Sequence, residues 1–238
     1  MNAIIRNAAV IPAIIIAFII WRVNDLDKFG PIGDFVSGIF TPILTLSSVL
    51  MAYWLFKAQQ KSSDVQNDRA HFFDLMSVAG SVCSDISIRK INKSSGTESF
   101  TTGKSAFSNL FYRYRRAYNA NTSTNEDEKM QSAFKELYSS QGSKFGHYFR
   151  LIYNILEFLN TSKMPYEEQK KLSDLLRATL NRYEMVVLFY NILGKKEHAP
   201  FKKLVENFEF LKGMDEDLLL ISSHKKHFSP KGFGEKEA

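Results

Sequence analysis

Between Phe35 and Phe56 the chain reads FVSGIFTPILTLSSVLMAYWLF without a charge, and few folds can accommodate that. A membrane-spanning helix needs about 20 predominantly apolar residues, and this run, bracketed by Asp34 and Lys57, meets that length. Tyr53 and Trp54 near its end suit the aromatic belt of a membrane surface. The whole-chain mean hydropathy of −0.20 is that of a soluble protein. The apolar residues are therefore concentrated: the first 56 residues are overwhelmingly apolar, and the rest of the chain is polar or amphipathic.

A shorter run, AAVIPAIIIAFIIW from Ala8 to Trp21, precedes it. Adding Ala3 to Asn7, with Arg6 snorkelling to the interface, makes up the length of a span. A signal peptide is the rival reading, but no small-x-small cleavage site follows Ile20 and Trp21 is a better interface anchor than a processing site. The linker RVNDLDKFGPIGD is about as short as a helical turnaround allows. The expectation is a transmembrane hairpin over residues 1–56, with spans at about 3–21 and 33–56. Basic residues flank its outer ends (Arg6, then Lys57, Lys61 and Arg69), whereas the linker carries Asp25, Asp27 and Asp34. The positive-inside rule then places both termini in the cytoplasm. A lone Cys83 leaves no intramolecular disulfide and agrees with that side. The net charge of +6 and pI of about 9.2 are explained by attraction to anionic headgroups, so they are weak evidence for nucleic acid.

No proline lies between Pro42 and Pro165, and strand-like alternation is not evident, so the expected fold class is all-α: the hairpin followed by a cytoplasmic helical bundle over 57–223 and a flexible basic tail over 224–238. Val65, Phe72, Met76, Ala79, Cys83 and Ile86 form a heptad-like seam, which predicts that the second span continues as one helix to about Ile91. NKSSGTESFTTGKS (92–105) and NANTSTNEDE (119–128) read as polar loops. Helices are predicted over the stretch containing Phe107, Leu110, Phe111, Tyr114 and Tyr118, from Glu126 to Ser139, along Phe145 to Leu159, and from Pro165 onward. Asn181 and Glu184 have capping-box spacing before RYEMVVLFYNIL, whose apolar residues cover all faces and so predict a central helix. The last helices are expected over Pro200–Leu211 and Asp215–Ser222.

Recognisable catalytic chemistry is missing from this pattern. The five histidines lack metal-ligand spacing. Cys83 on an apolar seam reads as a buried thiol. Walker, G-x-G-x-x-G and G-x-S-x-G patterns are not found, and no arginine is followed by a histidine four to six residues later, which counts against a helical ribonuclease. Neither a catalytic residue, a metal nor a cofactor is expected. FYRYRRAYN supplies candidate nucleic-acid contacts in Arg113, Arg115 and Arg116, with Tyr112 stacking on a base; a solvated basic face explains the same residues. His147, Arg150, Asn154 and Glu157 share one helix face. Glu184 opens a helix that is otherwise apolar, and a buried carboxylate needs a partner. Arg150 and Arg177 are the predicted partners in a structural ion pair.

Three stretches, GPIGDFVSGIFTPILTLSSVLMAYWLFKAQQ, HYFRLIYNILEFL and LLRATLNRYEMVVLFYNIL, resemble the putative phage abortive infection protein family, which includes two-span membrane effectors encoded beside retrons. The resemblance marks His147, Tyr148, Phe149, Arg150 and Tyr153 as one motif of the soluble part, and Arg177, Leu180, Glu184, Phe189, Tyr190 and Asn191 as the other. It implies antiviral defence by a membrane-anchored protein of the bacterial inner membrane; together with the two spans, the polar stripe described below and the missing enzyme motifs, the expectation is an effector that damages the membrane when released or triggered through its helical domain. It also implies a protein partner, the reverse transcriptase with its DNA in a retron system, and no established catalytic residues. A tethered interaction module and, further off, a tethered nuclease remain as alternatives.

The hydroxyls of the second span are ordered. Ser37, Thr41, Thr45 and Ser48 succeed one another at spacings of four, four and three, giving one small, polar helix face. Such a face suits close helix packing, in the hairpin or in a homo-oligomer lining a pore. Ser and Thr can also bond back to their own helix, and simple packing within the hairpin is favoured over a self-assembled or water-lined path.

Overall fold

A computed structural model describes residues 29–91, 98–194 and 196–235. The chain divides into two compact units, residues 1–62 and 63–238. The expected first span, at about 3–21, lies outside the described residues. One long helix, α1 (Phe29–Asp85), begins in the first unit and ends in the second. By length and composition it can cross a membrane, and none of its apolar window is buried against protein. Phe35, Ile39, Phe40, Leu46 and Trp54 are all exposed. Pro42 sits inside the helix, where its ring removes one backbone hydrogen bond. The Thr45 and Ser48 hydroxyls bond back to the carbonyls of Thr41 and Thr45, each at 2.8 Å.

The second unit is mostly helical, but not all-α as expected. After α1 stops at Asp85, β1 (Ser87–Ile91) pairs antiparallel with β2 (Glu98–Thr102), from Ser87 opposite Thr102 to Ile91 opposite Glu98. The predicted helix to Ile91 is corrected to a strand from Ser87, and the end of the polar loop predicted over 92–105 to a strand over 98–102; residues 92–97 lie outside the described residues. Isoleucines at 86, 88 and 91 favour extended backbone, and fully buried Ile88 pins the ribbon to the core. Gly103, at φ +57°, turns the chain back, and its N–H donates to the Ile86 carbonyl at 2.8 Å.

Helix α2 (Ala106–Ala120) buries Phe107, Leu110, Phe111, Tyr114 and Tyr118, the residues whose spacing predicts it. Asn125 caps α3 (Glu126–Thr161) by accepting from the N–H groups of Asp127 and Glu128. This helix is unbroken where two separate helices were expected. Gly142, inside it, is explained by Tyr138: a β-carbon at 142 would lie 2.8 Å from that ring.

Helix α4 (Tyr166–Thr179) follows Pro165, and α5 (Arg182–Leu193) follows the Asn181–Glu184 capping box, both where the sequence places them. Met185 to Ile192 are all buried, so α5 is the central helix of the unit. Helix α6 (Ala199–Asn207) is shorter than predicted, and only a 3₁₀ turn at Glu216–Leu218 stands where a helix over 215–222 was expected.

Residues 224–235, expected to be part of a flexible tail over 224–238, are not loose; 236–238 lie outside the described residues. His224, Phe228 and Phe233 are buried; Leu211 N–H donates to the Gly232 carbonyl at 3.0 Å; Lys225 bridges Glu216 and Glu235, each at 2.7 Å. These three rings, spaced four and five residues apart, supply the apolar area that holds the segment down.

Candidate functional site

Glu184 is fully buried at the start of α5. Its Oε2 accepts from the Asn181 N–H at 2.7 Å, closing the capping box. Its Oε1 accepts from the Tyr148 hydroxyl of α3 at 2.8 Å and faces the Cys83 thiol of α1 at 3.6 Å. The predicted ion pair with Arg150 or Arg177 does not form. Arg150 is exposed. Arg177 instead pairs with Asp174 at 3.0 Å and donates to the Lys212 carbonyl. Neutral hydroxyl, thiol and amide donors satisfy the carboxylate, so no buried guanidinium has to be desolvated. Burial, then the Glu184 charge, pushes the Cys83 thiol up to about 11. The same two causes, in the same order, raise the Tyr148 phenol well above its ordinary range.

The second motif continues inward along α5. Phe189 is fully buried and packs on Phe228, with ring centroids 5.0 Å apart. The Tyr190 hydroxyl accepts from the Leu220 N–H at 2.7 Å and lies 3.1 Å from His224 Nδ1. Leu180 packs half-buried at the end of α4. His147 and Arg150 look out from the exposed face of α3, while Tyr148 and Phe149 face the core.

The two motifs meet again at a cleft of about 310 Å³. Phe149, Arg150 and Tyr153 line it from α3, Asn191 from α5, and Glu197, His198 and Phe201 from the turn into α6. Tyr138, Gly146 and Pro200 complete its wall. The Asn191 carbonyl is 2.7 Å from His198 Nδ1. Because a carbonyl only accepts, Nδ1 carries the proton and Nε2 is the ring's second functional atom. Glu197, His198 and Phe201 were not singled out by the sequence. They come after α5 across a short turn, and no spacing relates them to Arg150 or Tyr153 on α3.

The basic cluster on α2 is divided. Arg113 bonds to Asn109 at 3.1 Å and to the Arg89 carbonyl, so it braces the β-ribbon. Arg115 and Arg116 are exposed. Tyr112 is exposed too, but its hydroxyl lies 3.2 Å from that of Tyr183 and their rings are 5.9 Å apart.

Among the described residues no group of three His, Cys, Asp or Glu side chains is placed to hold a metal ion. No curated protein and no solved structure matches the chain. Residues 140–218 match the family described as putative phage abortive infection protein. That match contains Glu184, Tyr148 and all of the cleft except Tyr138, and it supports a role in phage defence.

Proposed function

We propose that the chain is a membrane-anchored effector of abortive infection, held quiet through its helical unit and released by infection to breach the bacterial inner membrane. One observation carries the reading. The helix that exposes Phe35, Ile39, Leu46 and Trp54 also carries Cys83, which rests on the buried Glu184 of the phage-defence segment. Side chains that apolar belong in lipid, and a change in how α3 and α5 pack would reach α1 through Glu184. In this reading the run from Ala3 to Trp21 is the first of two spans, both termini are cytoplasmic, and no catalytic residue is needed. A protein restrains the helical unit; in a retron system that partner is the reverse transcriptase with its DNA. The face of Ser37, Thr41, Thr45 and Ser48 is where spans pack against each other or against a second copy.

Expression of the full chain without a partner, followed by dye uptake and membrane potential, tests this. Depolarisation coincident with growth arrest is expected. Growth arrest with intact membranes would reject membrane damage and favour an interaction module tethered by the apolar segments.

A further inference from the structure

Asn191 is only 4% exposed and lines the cleft, and its backbone carbonyl is bonded to His198 Nδ1. An amide presents a donor and an acceptor side by side, and its complement is a planar group with an acceptor beside a donor, as on the edge of a nucleobase. The neighbouring walls are aromatic: Tyr153 and Phe201 lie edge to face with centroids 5.4 Å apart, and such rings accept a flat heterocycle by stacking.

The mouth differs from the floor. Arg150 lines the cleft, is exposed, and forms neither an ion pair nor a hydrogen bond among the described residues. A guanidinium with all its donors unused is the side chain best suited to a phosphate. His198, its Nδ1–H committed to the Asn191 carbonyl, offers Nε2 as a second polar atom. Glu197 is exposed and supplies the acceptor that sugar hydroxyls require. At about 310 Å³ the space is at the small end of ligand pockets and suits one nucleotide rather than a longer segment.

We propose that this cleft binds a mononucleotide, with its base edge on Asn191, its base against Tyr153 and Phe201, and its phosphate on Arg150. As the place where a trigger is read, the site rests on the effector reading above; as a binding site it is tested without it. The experiment is calorimetric titration of the full chain in detergent micelles with each ribonucleoside 5′-monophosphate and the corresponding nucleoside. A 5′-phosphorylated tetranucleotide distinguishes a free nucleotide from the end of a strand. At least one monophosphate should bind with a Kd below about 1 mM, and its nucleoside about tenfold or more weakly. Arg150→Ala should bring the monophosphate down to the nucleoside's affinity and leave the nucleoside unchanged. Asn191→Leu should remove both. Because Asn191 is buried, the exposed Arg150 carries the test. Absence of binding by every monophosphate, or an affinity unaltered in Arg150→Ala, overturns the proposal. Neither result bears on dye uptake, so the membrane reading stands or falls separately.

Discussion

The Tyr148 hydroxyl donates to Glu184 Oε1 across 2.8 Å, joining the middle of α3 to the first turn of α5 inside the core. Glu184→Ala would strip Tyr148 of its acceptor and the Asn181 N–H of its cap. The lost cap costs about 0.5–2 kcal/mol and the unsatisfied phenol about 1–3 kcal/mol, so the loss is about 2–5 kcal/mol. For a unit of this size that lowers the thermal midpoint by roughly 4–20 °C. Arg150→Ala, at an exposed position without partners, should move the midpoint by no more than about 1 °C. Circular-dichroism melts of both variants check the pair, and a large shift for Arg150→Ala would restore the ion pair inferred from sequence.

Cys83 is held protonated by burial and by Glu184, with its thiol pushed from an ordinary 9.0 to about 11. An unfolded chain loses that proton sooner than the folded one does. Stability is therefore fully present below pH 9 and falls as pH rises from about 9 toward 11. Cys83→Ala should flatten that alkaline slope in chemical-denaturation curves. At pH 8 the native thiol should also resist alkylation until the chain is unfolded.

His224 titrates in the opposite sense. It is 1% exposed, its Nδ1 faces the Tyr190 hydroxyl, and its Nε2 is buried with no partner among the described residues. Burial, then nearby His227, lowers it below 6.5, against a weaker upward pull from Glu126 and Asp127. A depressed imidazole contributes stability above pH 6.5 that is lost as pH falls through its folded value. His224→Phe should be less acid-sensitive than the parent between pH 7 and 5, measured as the change in melting midpoint.

Local patterns were legible in the sequence and long-range pairings were not. The burial of α5 on every face, the seam from Val65 to Ile86, which lies on α1 as far as Cys83, and the Asn181–Glu184 cap are local, and each is found in the structure. The partner of Glu184 was hidden, because charge alone suggested arginine while the contacts come from a phenol and a thiol far away in the chain. The β-ribbon escaped notice because β2 is largely exposed and its polar residues read as loop. The cleft brings α3 against a turn beyond α5, a juxtaposition created only by tertiary packing.

Two glycines in helices should respond to alanine with opposite signs. At Gly80 a β-carbon meets nothing within 4 Å, so Gly80→Ala should gain about 0.5–1 kcal/mol of helix propensity. At Gly142 the added carbon would stand 2.8 Å from the Tyr138 ring, and displacing that ring should cost about 1–3 kcal/mol net. Combining Gly142→Ala with Tyr138→Ala should lose less than the sum of the separate changes, because the clash disappears. Additive losses in that double-mutant cycle would separate the two residues.

The hydroxyl face of α1 presents a choice between chemistry and shape. Thr45 and Ser48 already direct their protons to carbonyls one turn back, so little hydrogen-bonding capacity is left for a neighbouring helix. What the face still offers is small volume, which permits close approach. Thr41→Val with Thr45→Val keeps that shape and discards the hydroxyls, whereas Thr41→Leu with Thr45→Leu adds bulk. If close packing is what the face provides, the valine pair should depolarise membranes like the parent, and the leucine pair should insert normally yet lose that effect. Equal loss in both pairs would return the role to the hydroxyls. Full activity in both would leave this face in contact with lipid alone, with the breach of the membrane arising elsewhere in the apolar segments.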